Sequence, residues 1–167
     1  DQKSSGRCWL FTGLNVMRSQ MIRQYGLGDF QFSQSYSFFY DQLEKSNLFL
    51  QAVIDNAKKP MSDQLNDWLF KNPLSDGGTF CGVIDVVSKY GLVPADVMPE
   101  SYNANNTSRM ANILSLKLRE YGLTLRKLSA AGKKSTELEK QKLQMLGTIY
   151  HILTICLGEP VQHFTYT

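Results

Sequence analysis

The apolar residues near the start of the chain recur at the spacing of a helix. From position 8 to position 25 they follow one another at three- and four-residue steps, and glycines at 26 and 28 then act as stop signals. The stripe consists of Leu10, Leu14, Met17 and Met21. The pattern predicts an amphipathic helix over 8–25, with Cys8 in its first turn.

The remaining segments also predict helices. Ser33 can cap a second helix, SQSYSFFYDQLEKSNLFLQAVIDNA, whose crowded aromatic residues indicate a buried face. Proline and glycine then separate a short helix near Trp68 from another over about 80–90. The stretch YGLVPADVMPESYNANNTS is typical of a long loop, and helical stretches over 108–128 and 135–157 predict a hairpin. Strand signals are weak, so the chain is predicted to be mainly α.

Composition and charge exclude some classes of function. The 167 residues suffice for one domain or lobe, and no apolar run approaches the ~20 residues that span a bilayer. The net charge of +3 is small and the lysines are scattered, so nucleic-acid binding is not indicated. The sequence opens on Asp1 rather than on methionine, so targeting cannot be inferred from it.

Three cysteines, Cys8, Cys81 and Cys156, lie far apart in the sequence and form no CxxC pair. Neither a zinc site nor a disulfide framework is therefore indicated. An odd number of widely spaced cysteines favours a reducing compartment. On spacing alone, Cys8 can be a small buried hydrophobic residue as well as a nucleophile.

The surroundings of Cys8 favour a nucleophile. A thiol attacks as its thiolate, and the unpaired backbone N–H groups and the dipole of a helix N terminus stabilise an anion. Gly6 lets the backbone approach a substrate and turn into the helix. The side-chain amide of Gln2 and the backbone N–H of Cys8 can donate to an oxyanion, while Trp9 can cover the site and limit water.

The segment QKSSGRCWLF resembles the nucleophile segment of papain-like cysteine peptidases, in the form of the bleomycin hydrolase and aminopeptidase C branch. The stretches FSQSYSFFYDQLEKSNLFL, DGGTF, KYGLVPADVMPESYNA and CLGEPVQHFTY extend the resemblance over essentially the whole chain. It implies an α+β papain-like fold overall, of which this chain is a mainly α part. The implied organisation is a helical lobe over 1–106, a helical hairpin insertion over 107–157, and from 158 to 167 the start of a connection to a missing C-terminal lobe.

The resemblance also assigns roles to residues. Cys8 matches the nucleophile and Gln2 the oxyanion donor, and DGG matches a cleft loop whose backbone pairs with the substrate as an added strand. Without the resemblance, an ordinary turn would be preferred for DGG. The following residues, TFCGV, differ from the acidic and aromatic residues that the family has after the two glycines. Which substrate side chains the pocket prefers therefore stays open. The predicted site consists of two catalytic residues, Cys8 and Gln2, and four substrate-binding residues, Trp9, Asp76, Gly77 and Gly78.

Two serines indicate where the protein works. Secreted papain-like enzymes carry bridged cysteines at the places of Ser5 and Ser75. Both halves of that bridge are replaced together, which is expected of an enzyme in a reducing cytosol. The resemblance therefore implies a cytoplasmic protein in which Cys81 and Cys156 are core residues.

The base that a cysteine nucleophile needs is not evident. His151 follows Cys8 at the ~130–150 residues typical of papain relatives, but a helical pattern surrounds it and places it opposite the apolar stripe, at an exposed position. His163 matches no catalytic position. The family presents its histidine on a strand and its asparagine in an Asn-Ser-Trp-Gly segment, and neither occurs here. This chain alone is therefore expected to be nearly inert.

The resulting hypothesis is a cytosolic cysteine aminopeptidase acting on peptide or bleomycin-like amide bonds, without a metal or organic cofactor. Whether it removes single residues or cuts internally stays open. The hairpin resembles the insertion through which the family assembles, which implies a homo-oligomer, specifically a hexamer. The predicted partners are therefore further copies of the chain and the peptide substrate. Two alternatives are a non-catalytic helical assembly module and a thiol redox protein, and the latter would need a resolving cysteine that is not near in sequence.

Overall fold

Seven helices form the regular structure of residues 1–165, the part of the chain that this computed structural model describes. No strand occurs among these residues, and two isolated bridges join Ser4 to Asn106 and Phe32 to Pro94. Tyr166 and Thr167, which end the predicted segment 158–167, lie outside the described residues. The helices are α1 Cys8–Tyr25, α2 Gln34–Asp55, α3 Gln64–Lys71, α4 Phe80–Tyr90, α5 Tyr102–Asn105, α6 Thr107–Ala130 and α7 Ser135–Leu157.

The predicted, mainly α fold is confirmed, and the predicted bounds of α1, α4 and α7 agree with the structure. Ser33 caps α2 as expected, because its Oγ accepts a hydrogen bond from the backbone N–H of Tyr36 at 3.0 Å. The prediction of a long loop from Tyr90 onward was wrong in part, because the segment contains α5 and the first residues of α6. The Oγ of Ser101 accepts from Ala104 N at 3.0 Å and so starts the single turn of α5.

The chain folds into two compact units. The first contains Asp1–Asp41, Asp76–Arg109 and Leu153–Thr167, and the second contains Gln42–Ser75 and Met110–Ile152. The predicted division into a lobe over 1–106, a hairpin over 107–157 and a connection from 158 stays a prediction. All six predicted site residues belong to the first unit.

In the first unit, α1 packs closely against α4. Gly13 makes this approach possible, because a Cβ at this position would lie 2.7 Å from Cγ2 of Val83. Leu10 and Leu14 are buried on the same side of α1. The packing fixes the helix axis and, with it, the direction of the first turn that carries Cys8.

In the second unit, apolar side chains of α2, α6 and α7 are buried. Gly122 of α6 lies against the ring of Phe70, which a Cβ at position 122 would approach to 2.8 Å. The buried amide of Asn66 donates to the carbonyl oxygens of Lys59 and Pro60, at 3.3 and 3.0 Å, and holds the chain after α2. The core residues are Leu50, Val53, Leu114, Leu118, Leu125 and Ile149.

Candidate active site

Cys8 is the first residue of α1 and is exposed to solvent. The backbone carbonyl of Arg7 accepts from the N–H groups of Leu10 and Phe11, at 3.0 Å each, and so begins the helix. The first N–H groups of a helix have no intrahelical partner, and the first turn of α1 contains no acidic residue. Cys8 is therefore accessible to solvent at a helix start whose backbone N–H groups are not used within the helix.

Gln2 lies in the segment that leads to Cys8 and is half-buried. Its backbone carbonyl accepts from Ser5 Oγ at 2.6 Å, which ties the backbone of Gln2 to the side chain of Ser5. Its side-chain Oε1 is buried and accepts no hydrogen bond from the residues that the structure describes. Buried polar atoms without a partner are uncommon and are found at functional sites. The role of Gln2 as an oxyanion donor stays a prediction.

The buried side chain of Arg7 stabilises the start of α1, a role that the sequence did not reveal. Its side chain is 0% exposed and donates from Nη1 and Nη2 to the Oε1 and Oε2 atoms of Glu100, at 3.2 and 2.7 Å. Its Nε donates to Ser5 Oγ at 3.0 Å, and Ser35 Oγ donates to Glu100 Oε1 at 2.9 Å. A buried guanidinium requires such bidentate pairing, so the residue beside Cys8 is held rigidly.

Replacing Glu100 by alanine leaves the buried Arg7 guanidinium without its carboxylate. We expect the free energy of unfolding of the complete protein to fall by about 2–3 kcal/mol, less than for a fully buried pair because water reaches the partly exposed Glu100. Urea unfolding followed by circular dichroism measures this loss. The control is Asp67→Ala, which breaks the exposed ion pair with Lys71 and should cost at most ~0.5 kcal/mol. Equal losses in the two variants would contradict the prediction.

The loop Asp76–Gly77–Gly78 lies against Trp9, the residue after Cys8. The Trp9 indole Nε1 donates to the backbone carbonyl of Asp76 at 2.9 Å. A Cβ at Gly78 would lie 2.6 Å from Cε2 of the indole, so only glycine lets the loop approach the ring so closely. Trp9 is 8% exposed, and Gly82 of α4 also faces its ring, so both the loop and α4 pack against the indole.

The side chain of Asp76 faces the chain that precedes Cys8. Its Oδ2 accepts from the backbone N–H of Gly6 and from the Oγ1 of Thr107, at 2.7 Å each. The structure thus brings Gly6, Trp9 and Asp76 together around Cys8. The substrate-binding roles predicted for Trp9, Asp76, Gly77 and Gly78 stay predictions.

Known proteins share this arrangement of sequence and fold. The family model described as "Peptidase C1-like family" matches residues 1–167. The chain belongs to the Peptidase C1-like family. The resemblance noted from the sequence is confirmed by relatives at about 40% identity over nearly the whole chain.

Among these relatives of the Peptidase C1-like family, bleomycin hydrolase of Rattus norvegicus is 41% identical over 168 residues, covering 99% of this chain and 37% of the relative. Aminopeptidase C of Lactobacillus delbrueckii subsp. lactis is 42% identical over 166 residues, with the same coverage of 99% and 37%. This chain therefore spans well under half the length of these two relatives.

A solved structure supports the same membership. The crystal structure of PepW from Lactobacillus rhamnosis HN001 superposes with a TM-score of 0.95 at 40% sequence identity, covering 98% of this chain and 37% of that chain. The helical fold described here thus matches one part of the longer PepW chain.

The other cysteines of this Peptidase C1-like chain differ from expectation. Cys81 is exposed, so the prediction that it is a core residue was wrong. It is the second residue of α4 and, at ~100° per residue, lies on the side of the helix away from the buried Val83. Cys156 is half-buried, and burial raises the pKa of its thiol.

Both histidines are exposed, and the expectation that neither is the catalytic base stays a prediction. His151 lies in α7 and is exposed, as its place opposite the apolar stripe predicted. His163 is exposed as well. Among residues 1–165, no group of three or more His, Cys, Asp or Glu side chains is arranged to hold a metal ion. None of the helices described in these residues is both long and apolar enough to cross a bilayer.

Proposed function

We propose that this chain is the nucleophile-bearing part of a cysteine peptidase that releases residues from the amino end of peptides and hydrolyses related amides. The observation that carries the proposal is the exposed Cys8 at the first turn of α1, inside a segment that matches the Peptidase C1-like family. The names of the relatives, bleomycin hydrolase and aminopeptidase C, give the substrate class.

The proposed reaction proceeds through a thioester. The Cys8 thiolate attacks the carbonyl carbon of the scissile amide bond, and the new oxyanion accepts hydrogen bonds from the Cys8 backbone N–H and the Gln2 amide. The C–N bond then breaks, and the amine leaves with a proton from a general acid. Water attacks the thioester, releases the carboxylic acid and regenerates the thiol.

The general acid is proposed to come from outside this sequence. A histidine oriented by an asparagine would supply it, as the resemblance to papain-like peptidases implies. The chain covers 37% of the relatives' length, which leaves ample room for such residues in a longer protein. A thiolate without this partner can still be alkylated, but it lacks a proton donor worth ~10²–10⁴ in rate.

Assembly and location are proposed on the same basis. The hairpin of α6 and α7 carries exposed leucines, which favour contact with a second copy of the chain and so a homo-oligomer, a hexamer by family resemblance. Three free cysteines, two of them exposed, fit a reducing cytoplasm. The leucines are Leu116, Leu123 and Leu143.

Selective alkylation tests the proposed function. The complete protein is treated with limiting iodoacetamide at pH 7, labels are mapped by mass spectrometry, and hydrolysis of an aminoacyl coumarin amide is measured in parallel. We expect activity to fall in step with labelling of Cys8, while labelling of the exposed Cys81 leaves it unchanged. Cys156 should react last, because its raised pKa leaves less thiolate at neutral pH, and its rate should rise as the pH increases.

The same samples separate the alternatives. Activity lost in step with Cys81 would contradict the proposal. A complete protein that hydrolyses nothing, yet forms a sulfenic acid at Cys8 in dilute peroxide, would favour a thiol redox protein. Absence of both reactions would favour a non-catalytic assembly module.

A further inference from the structure

Asp76 contacts the chain on both sides of the nucleophile. Its carboxylate Oδ2 accepts from the backbone N–H of Gly6, two residues before Cys8, at 2.7 Å. Its backbone carbonyl accepts from the indole Nε1 of Trp9, one residue after Cys8, at 2.9 Å. A single residue 67–70 positions away along the chain thus holds both flanks of the candidate nucleophile.

The same carboxylate oxygen is tied to α6. Thr107, the first residue of that helix, is buried and donates from Oγ1 to Asp76 Oδ2 at 2.7 Å. Its backbone N–H donates to the carbonyl of Ser4 at 3.3 Å, and Ser4 N–H donates to Asn105 O at 3.0 Å. These bonds close a ring through Asp76, Gly6, Ser4 and Thr107, and the ring fixes the segment between Gln2 and Cys8.

Gly6 is adapted to this contact. A Cβ built at this position would collide with the Asp76 carboxylate, so any side chain would push the aspartate away. The backbone N–H of Gly6 and the carboxylate therefore meet at a distance that only glycine allows. Hydrogen bonds to a carboxylate are roughly twice as strong as neutral ones, which suits a contact that must hold a turn.

We propose that Asp76 is a positioning residue for the nucleophile, acting through Gly6 and Thr107 rather than through contact with the substrate. The proposal rests on the proposed peptidase function. Nucleophile and oxyanion donors must be held within about 0.5 Å of their productive geometry, and the segment that joins Gln2 to Cys8 has no regular secondary structure to hold it. The ring of hydrogen bonds through Asp76, Gly6, Ser4 and Thr107 supplies that restraint.

Variants of the complete protein test the proposal. Asp76→Ala removes the acceptor, Asp76→Asn keeps an acceptor without the charge, and Thr107→Val removes one donor. For hydrolysis of an aminoacyl coumarin amide we expect kcat to fall by about 10–100-fold in Asp76→Ala, with KM within about threefold of wild type. Asp76→Asn and Thr107→Val should lose less, and Thr107→Ser should restore the wild-type kcat.

Hydrogen exchange gives a readout that does not depend on activity. The Gly6 amide should be protected in the wild-type protein and exchange faster in Asp76→Ala, and alkylation of Cys8 should slow in the same variant. The matched control is Asp85→Ala, which removes an exposed aspartate of α4 and should change none of these quantities.

The outcomes distinguish this inference from the proposed function. If the wild type hydrolyses the amide and Asp76→Ala raises KM with kcat retained, Asp76 contacts substrate and the inference is overturned. A lower melting temperature with unchanged kcat would also overturn it, because Asp76 would then be merely structural. If the wild type hydrolyses nothing, the proposed peptidase function fails, and hydrogen exchange then decides the positioning role separately. An unchanged exchange rate of the Gly6 amide in Asp76→Ala would overturn that role as well. Faster exchange of this amide together with slower alkylation of Cys8 would support it.

Discussion

Replacing Cys8 by alanine in the complete protein is expected to lower kcat for an aminoacyl coumarin amide by at least ~10³-fold. Alanine keeps the small volume of the residue and the helical backbone of α1, but it removes the sulfur through which the proposed thioester forms. Cys8 is exposed, so the substitution leaves no cavity in the core and should hardly change the free energy of unfolding. Steady-state kinetics, with circular dichroism to show that the variant is folded, measures the effect.

Cys81 provides a matched control for this experiment. It is also exposed and also lies in the first turn of a helix, α4. Cys81 therefore matches Cys8 in solvent access and in its position at a helix start. The Cys81→Ala variant should keep the wild-type kcat within about twofold. Residual activity of Cys8→Ala close to that of Cys81→Ala would show that the reaction does not pass through the sulfur of Cys8.

Replacing Gln2 by alanine should lower kcat by ~10²–10³-fold with little change in KM. The donated hydrogen bond is needed when the carbonyl oxygen becomes an oxyanion, so its loss raises the barrier more than it weakens substrate binding. Gln2→Glu should be at least as harmful, because a carboxylate places a negative charge where the amide would donate. Steady-state kinetics on the complete protein separates kcat from KM.

Gln34 is the control for Gln2. It is likewise half-buried, and its Oε1 is likewise buried without a hydrogen bond from the described residues. Gln34→Ala should therefore show what loss of such an amide does to stability alone, with kcat unchanged. A Gln2→Ala variant that keeps kcat, or that raises only KM, would contradict the oxyanion role.

The sequence alone does not predict that Arg7 pairs with Glu100. An arginine directly before a nucleophile and ahead of an apolar helix face could have indicated a buried charge, which requires a carboxylate. The chain has 15 acidic residues, and nothing in their spacing selects one that is 93 positions away. The hydrogen bond from Gly6 to Asp76 poses the same difficulty over 70 positions.

The sequence by itself determined the six longer helices and the place of Cys8 at the start of α1, because apolar spacing, caps and stop signals act within a few residues of one another. It also determined the family, since the nucleophile segment lies in a continuous stretch. Only the tertiary structure decided that Asp76 turns its carboxylate toward Gly6 and that Glu100 neutralises Arg7. These contacts depend on how distant segments pack, and a local pattern carries no information about that packing.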